Sequence, residues 1–227
     1  MSPNTAQLHH AILSDIVARG RAPKVADLAR RYGVTDADLR AALRRLAEEH
    51  GIVLHPRDDE IWVAHPFSLA PTNFLVRHDR RSWWGNCAWC SLGIAALVSG
   101  TVTITTTVGA EDRQVTIRVA NGIVAESGLV VHFPVPMRRI WDNVIYSCSI
   151  MLVFDSEVQV EDWCRRHGIA KGDVRPLATV ARFAAAWYGR HLDPDWRKWT
   201  VAEARGLIER YGLSGPIWAL PSTDGRF

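Results

Sequence analysis

Asn86-Cys87-Ala88-Trp89-Cys90-Ser91-Leu92-Gly93-Ile94-Ala95-Ala96-Leu97-Val98, followed by Thr101-Val102-Thr103-Ile104-Thr105-Thr106-Thr107-Val108, decides how this chain is read. The first stretch is apolar and rich in Ala, Leu and Ile, which predicts a buried helix from Cys87 to Val98. The second is β-branched at every position and predicts a strand. A thioredoxin-like Cys-x-x-Cys follows a strand and opens the helix of a βαβ unit. Here the helix comes first and hairpin-like strands come after it. Gln114–Val119 alternates beyond the loop Gly109–Arg113, and Gly128–Phe133 follows a turn at Gly122. This order predicts an α+β protein with a mixed or antiparallel sheet.

The pattern continues toward the C-terminus. Val144 to Phe154, which carries Cys148, reads as a central strand. Glu157 to His167, with Glu161-Asp162-Trp163-Cys164, reads as a helix. Pro176–Leu192 and Val201–Tyr211 predict two more, separated by Asp193-Pro194-Asp195. Toward the N-terminus, residues 1–66 read as a winged helix. Leu8, Ile12, Ile16 and Val17 have helical spacing. Val25–Tyr32 makes a second helix ended by Gly33. Thr35 offers an N-cap to a third, striped by Leu39, Ala42, Leu43 and Leu46. Gly51–His55 and Ile61–Ala64 complete a two-stranded wing around the turn Pro56–Glu60. Residues 67–80 then read as a connector and 81–227 as the domain that holds the thiols.

Composition excludes several classes. With 227 residues the chain can build a core without disulfides, and four cysteines are too few for a secreted disulfide scaffold. The N-terminus lacks the basic and apolar regions of a signal peptide. No apolar run approaches the ~20 residues of a membrane span. The expectation is a cytoplasmic protein, with no membrane partner, whose thiols stay reduced. A formal net charge of +3 is a mild bias. Residues 1–66 carry nine Lys/Arg and nine Asp/Glu, so the module that looks fit for DNA has no net charge to neutralise phosphate, and DNA is not the expected partner. Ten tryptophans cluster around Trp83–Trp89 and Trp187–Trp218, which suits core packing or a dry aromatic wall around a site.

A lone Cys-x-x-Cys admits several readings. It can be half a zinc site, which would need distant partners such as Cys148 and His132. It can be a redox dithiol, or two small core hydrophobes. Thiols gathered from Cys87, Cys90 and Cys148 would make a soft ligand cage, which selects soft metals. Cys164, after Trp163 on its helix, reads as a core cysteine. His132, Asp142, Tyr146 and Asp155 are possible proton donors near these segments, each with an ordinary strand or loop reading beside it.

Trp84-Gly85-Asn86-Cys87-Ala88-Trp89-Cys90-Ser91-Leu92-Gly93-Ile94-Ala95-Ala96-Leu97 resembles the active-site helix of the alkylmercury (organomercurial) lyases. That helix has an aromatic, a Cys, two small or apolar residues, an Asp, and an apolar run ending Ala-Leu. Cys148 in its apolar run, followed by Glu161-Asp162-Trp163, resembles the family's second cysteine strand and Glu-Asp-Trp helix. The winged-helix front and mixed remainder also fit, so the resemblance spans most of the chain.

The resemblance implies that Cys87 and Cys148 capture an organomercurial, or another soft electrophile. It implies protonolysis of the carbon–mercury bond to a hydrocarbon and Hg(II), bound as product, with no cofactor required and external thiols to extract the metal. The family's aspartate, which helps move the proton, lies three residues after the first Cys; here that position is Cys90. A neutral Cys90 thiol could give its proton directly or serve as a third sulfur ligand. Cys87, near the start of its helix, is expected to hold the thiolate, because the positive helix end favours an anion. Two other classes stay open: a non-catalytic soft-metal binder or metal-responsive regulator, and a same-fold enzyme with Cys87 as nucleophile on a different substrate.

Overall fold

The computed structural model describes residues 3–124 and 128–221. Three helices open the chain: α1 (Thr5–Arg19), α2 (Val25–Tyr32) and α3 (Asp36–Glu48). Local chemistry sets their ends. Asn4 and Gln7 form a capping box at the start of α1. Gly33 closes α2 at φ 62°, and the Thr35 side chain accepts from Asp38 N to start α3. Leu8, Ile12, Ile16, Leu39, Leu43 and Leu46 are buried, so one stripe of each long helix packs inward.

An antiparallel sheet of eight strands follows. β1 (Val53–Leu54) and β2 (Ile61–Ala64) pair across the turn at 56–60. The residues read as a connector, 67–80, carry two further strands, β3 (Phe67–Ser68) and β4 (Leu75–His78). With β5 (Arg81–Gly85), β6 (Thr101–Thr107), β7 (Gln114–Ala120) and β8 (Ile123–Val124) the order is β1-β2-β3-β5-β4-β6-β7-β8. The wing pair is thus continuous, through β3, with the sheet that flanks the Cys87 segment. In the wing turn, Asp59 pairs with Arg44, and Arg40 reaches Glu60 and the Asp58 carbonyl. The acids of the turn therefore engage the arginines of α3.

A second antiparallel sheet has the order β10-β9-β11, from β9 (Val130–Phe133), β10 (Val153–Phe154) and β11 (Asp173–Pro176). Around the two sheets lie α4 (Ala88–Leu97), α5 (Val144–Ser149), α6 (Glu157–His167), α7 (Leu177–Tyr188) and α8 (Val201–Arg210). No helix among the described residues is long and apolar enough to cross a membrane.

One segment differs from the sequence reading. Val144–Phe154 is not a central strand. Its first half is the helix α5 and only Val153–Phe154 is extended. Asn143 decides this, because its side chain accepts from Tyr146 N at 3.0 Å and caps the turn. The Ser147 hydroxyl, donating to Ile140 O at 3.1 Å, ties α5 to the preceding turn. Cys148 therefore sits on a short helix.

Helices α4 and α7 pack face to face, and this contact builds the site. Trp89 on α4 stacks on Phe183 of α7, with centroids 5.0 Å apart and planes 12° apart, and meets the Trp187 ring edge-on. Gly93 lets the helices close: a Cβ there would lie 2.3 Å from Tyr188 Cδ2.

Candidate functional site

The floor of the site is the junction between β5 and α4. A Cβ at Gly85 would fall 2.8 Å from Ser91 Cα, so the strand can run directly under the first turn of the helix. Cys87 is the N-cap, with its Sγ accepting from Cys90 N at 3.3 Å. Ala88 N donates to Met151 O at 3.1 Å, and Met151 N donates to Cys148 O at 3.2 Å. These two bonds bring the end of α5 onto the start of α4. Cys87, Cys90 and Cys148 thus become mutual hydrogen-bond partners, 0%, 1% and 3% exposed, and all are free thiols.

Three thiols in a dry place cannot all ionise. Burial pushes Cys87 well above the ordinary thiol range, and its two sulfur neighbours add to the rise. Cys148 is also raised: Cys87 opposes the rise, while Cys90 and burial drive it. Burial would raise Cys90 too, but hydrogen bonds from Cys148 and Cys87, and one from Tyr188, take it well below the ordinary value. The Tyr188 hydroxyl lies 3.4 Å from Cys90 Sγ. Of the three sulfurs, Cys90 is thus the one at which negative charge is most favoured. The sequence reading had placed the anion on Cys87, from the helix end alone. The hydrogen bonds of Cys148 and Cys87 to Cys90, with smaller contributions from His65 and Tyr188, lower Cys90 instead.

A cleft opens above the trio. Cys90 and Cys148 form part of its wall together with Trp89, Trp187, Tyr188 and His65, whereas Cys87 is not in the lining. Its outer part includes His50, Trp141 and Lys198. His50 stacks on Trp141 at 4.3 Å, and Lys198 Nζ lies 4.5 Å over the same ring. Burial lowers Lys198 to about 7. The wall is thus aromatic and dry near the sulfurs and polar toward the outside.

His65 is the residue that sequence reasoning missed. Burial lowers it to about 4, so the imidazole is neutral at physiological pH. Its ligating nitrogen, Cys90 Sγ and Cys148 Sγ all lie within 4.8 Å of one another, the one such group of three among the described residues. Tyr188 was missed as well. Only the Trp-rich stretch from Trp187 onward pointed to that part of the chain.

The other candidates lie elsewhere. Cys164 is buried beside His132, with Sγ 3.8 Å from Nε2, and takes no part in the trio. His132 accepts from Gly172 N at 3.1 Å. Asp142 pairs with Arg139 at 2.8 Å, Asp155 pairs with Arg113, and Tyr146 is 51% exposed. None of these lines the cleft. The Glu-Asp-Trp turn of α6 is structural: Trp163 Nε1 donates to Gly109 O at 2.9 Å, Asp162 pairs with Arg166 and Glu161 with Lys171.

Comparison with known proteins bears on the family and the fold. A family profile described as alkylmercury lyase (MerB) matches residues 67–189, which include β3, α4, α5 and all of α7. The solved structure described as "Crystal structure of the mercury-bound form of MerB2" superposes with a TM-score of 0.66 at 19% identity, over 83% of this chain and 91% of that one. At that identity the likeness is one of fold. Comparison with curated proteins returned no match.

Proposed function

This chain belongs to the alkylmercury lyase family, and on that premise we propose that it cleaves carbon–mercury bonds by protonolysis at Cys87, Cys90 and Cys148. The observation that carries the reading is the convergence of three buried free thiols, two of them in the wall of an aromatic cleft, and the resting state we assign to them has its negative charge on Cys90.

That state supplies what the reaction consumes. An organomercurial cation R–Hg⁺ enters the cleft, and the Cys90 thiolate forms the first sulfur–mercury bond. This neutralises both charges in a place where neither is well solvated. The Cys148 thiol, also on the cleft wall, forms the second. Its proton passes to the carbon as the carbon–mercury bond breaks, and the bonding electron pair leaves as the new C–H bond. The products are R–H and a neutral Hg(II) dithiolate, with the second thiol proton still on Cys87. Atoms and charge balance with no cofactor. Cys87 behind the wall is then the reserve: it can reprotonate a neighbour or become a third sulfur donor.

Tyr188 is a positioning residue in this scheme. Its hydroxyl donates to Cys90 and holds the charge on the sulfur that faces the cleft. External thiols would extract the product, since a buried dithiolate otherwise keeps it. DNA is not the partner proposed: Arg40 and Arg44 of α3 are engaged by the wing turn. A cytoplasmic, reducing setting suits four buried free thiols.

The test is turnover of an arylmercurial by reduced protein in excess external thiol, reading the released arene, with Cys148→Ala as control. Arene that forms with the native chain and not with the control supports the lyase. Stoichiometric mercury retention without arene overturns it and makes the protein a soft-metal binder.

A further inference from the structure

We propose that His65, Cys90 and Cys148 also form a nitrogen–sulfur–sulfur site for a borderline divalent ion of the Zn(II) class. It stands first on geometry and does not depend on the lyase reading. The three ligating atoms lie within 4.8 Å of one another and all three residues are buried. Zinc bonded at about 2.3 Å to sulfur and about 2.0 Å to imidazole would draw such atoms only slightly inward.

His65 is what distinguishes this site from a mercury trap. Soft Hg(II) is satisfied by thiolates, while imidazole suits zinc and its neighbours. A His65 Nδ1 buried without a hydrogen-bond partner needs an explanation in a dry wall. Asn86 Nδ2 stands 3.3 Å from His65 Nε2, so one side of the ring is held by an amide while the other is left bare. Charge gives a second argument. Zn(II) with two thiolates and one neutral imidazole has no net charge, which suits aromatic walls. The fourth position faces the cleft or Cys87. Three protein ligands and an open place is the arrangement of catalytic rather than structural zinc.

The occupied site would be a protected state: the ion covers both sulfurs that face the cleft and leaves when a softer cation competes for them. The experiment is a zinc titration of the reduced full chain against a chromophoric chelator, with mercury uptake measured in parallel. The native chain should take one Zn(II). His65→Gln should weaken zinc by at least about 100-fold, the upper end of what loss of an outer partner costs, while still taking one Hg(II) through its thiols. No zinc uptake by the native chain, or undiminished zinc affinity in His65→Gln, overturns the proposal. If His65→Gln loses mercury as well, the absorption-edge spectrum of zinc on the native chain decides. A shell of two sulfurs and one imidazole supports the site, and any shell without imidazole overturns it. Zinc uptake without arene release would refute the lyase reading alone.

Discussion

Cys164 beside His132 and Cys90 beside His65 are both buried thiols next to imidazoles that burial keeps neutral, each lowered to about 4. At the first pair the His132 Nε2 already accepts from Gly172 N, the sulfur lies 3.8 Å away, and among the described residues no further metal-binding group joins them. At the second pair two more thiols converge, a tyrosine hydroxyl donates to the sulfur, and a cleft reaches it. Residue type is the same in both. What makes a site is the count of converging donors and access, and both come from the way α4, α5 and α7 meet. Cys164 behaves accordingly: burial raises its pKa, with no partner that lowers it below the ordinary range.

The sharpest way to break this contrast is to remove one sulfur from each place. Cys148→Ala should lower arene release by on the order of a thousandfold or more, because it takes away both a mercury ligand and the proton for the carbon. A variant that keeps turnover within a few-fold of the native chain would sink the role of Cys148.

Tyr188→Phe tests the charge rather than the ligand. A hydrogen bond to a charged group contributes about 1.5–3 kcal/mol, roughly a 10- to 100-fold effect. The sign follows from the donor: without it the thiolate is less favoured, so the Cys90 pKa rises. The rate at neutral pH should fall about 10- to 100-fold and recover as pH rises, whereas a purely structural loss would lower the whole profile evenly. Gly93→Ala should move the same limb in the same direction, because its Cβ would displace the Tyr188 ring, and overpacking should cost about 1–3 kcal/mol of stability as well.

Acid tests the imidazoles of both neighbourhoods together. His65 and His132 at about 4, and His191 at about 3, all lie below the ordinary 6.5 because of burial. Between those values and 6.5 the unfolded chain binds protons that the folded chain refuses, so stability is lost as pH falls from 6.5 toward 4. Each imidazole should contribute up to about 3 kcal/mol of this loss, at about 1.36 kcal/mol per pKa unit, read from denaturant midpoints across that range. A flat midpoint would show that the imidazoles are less dry than the structure makes them.

How much of this was legible follows the range of each interaction. Helices α1–α4 and the β6–β7 hairpin are written in local spacing, caps and β-branched runs. The pairing of Cys87 with Cys148 was legible only through family likeness. Val144–Phe154 was misread because a short run of Val, Ile, Met and Leu satisfies strand and helix alike, and the cap at Asn143 settles it. Tyr188 is 98 residues from Cys90, and no sequence period links them. His65, just past the strand Ile61–Ala64 at the end of the winged-helix segment, drew no reading because a lone histidine before a proline carries no local signal. Only the packed helices and the adjoining strands bring those two groups to the sulfurs.

The smallest expected effect is also the strictest check on the contrast. Cys164→Ala removes a buried sulfur from a packed core and should cost about 1 kcal/mol in unfolding free energy. Turnover, mercury stoichiometry and zinc uptake should all stay within about two-fold, because sites that share no partners act independently. Loss of mercury capacity on this substitution would mean that the α6 pair communicates with the trio, and that counting donors at a single point is the wrong way to tell a site from a core.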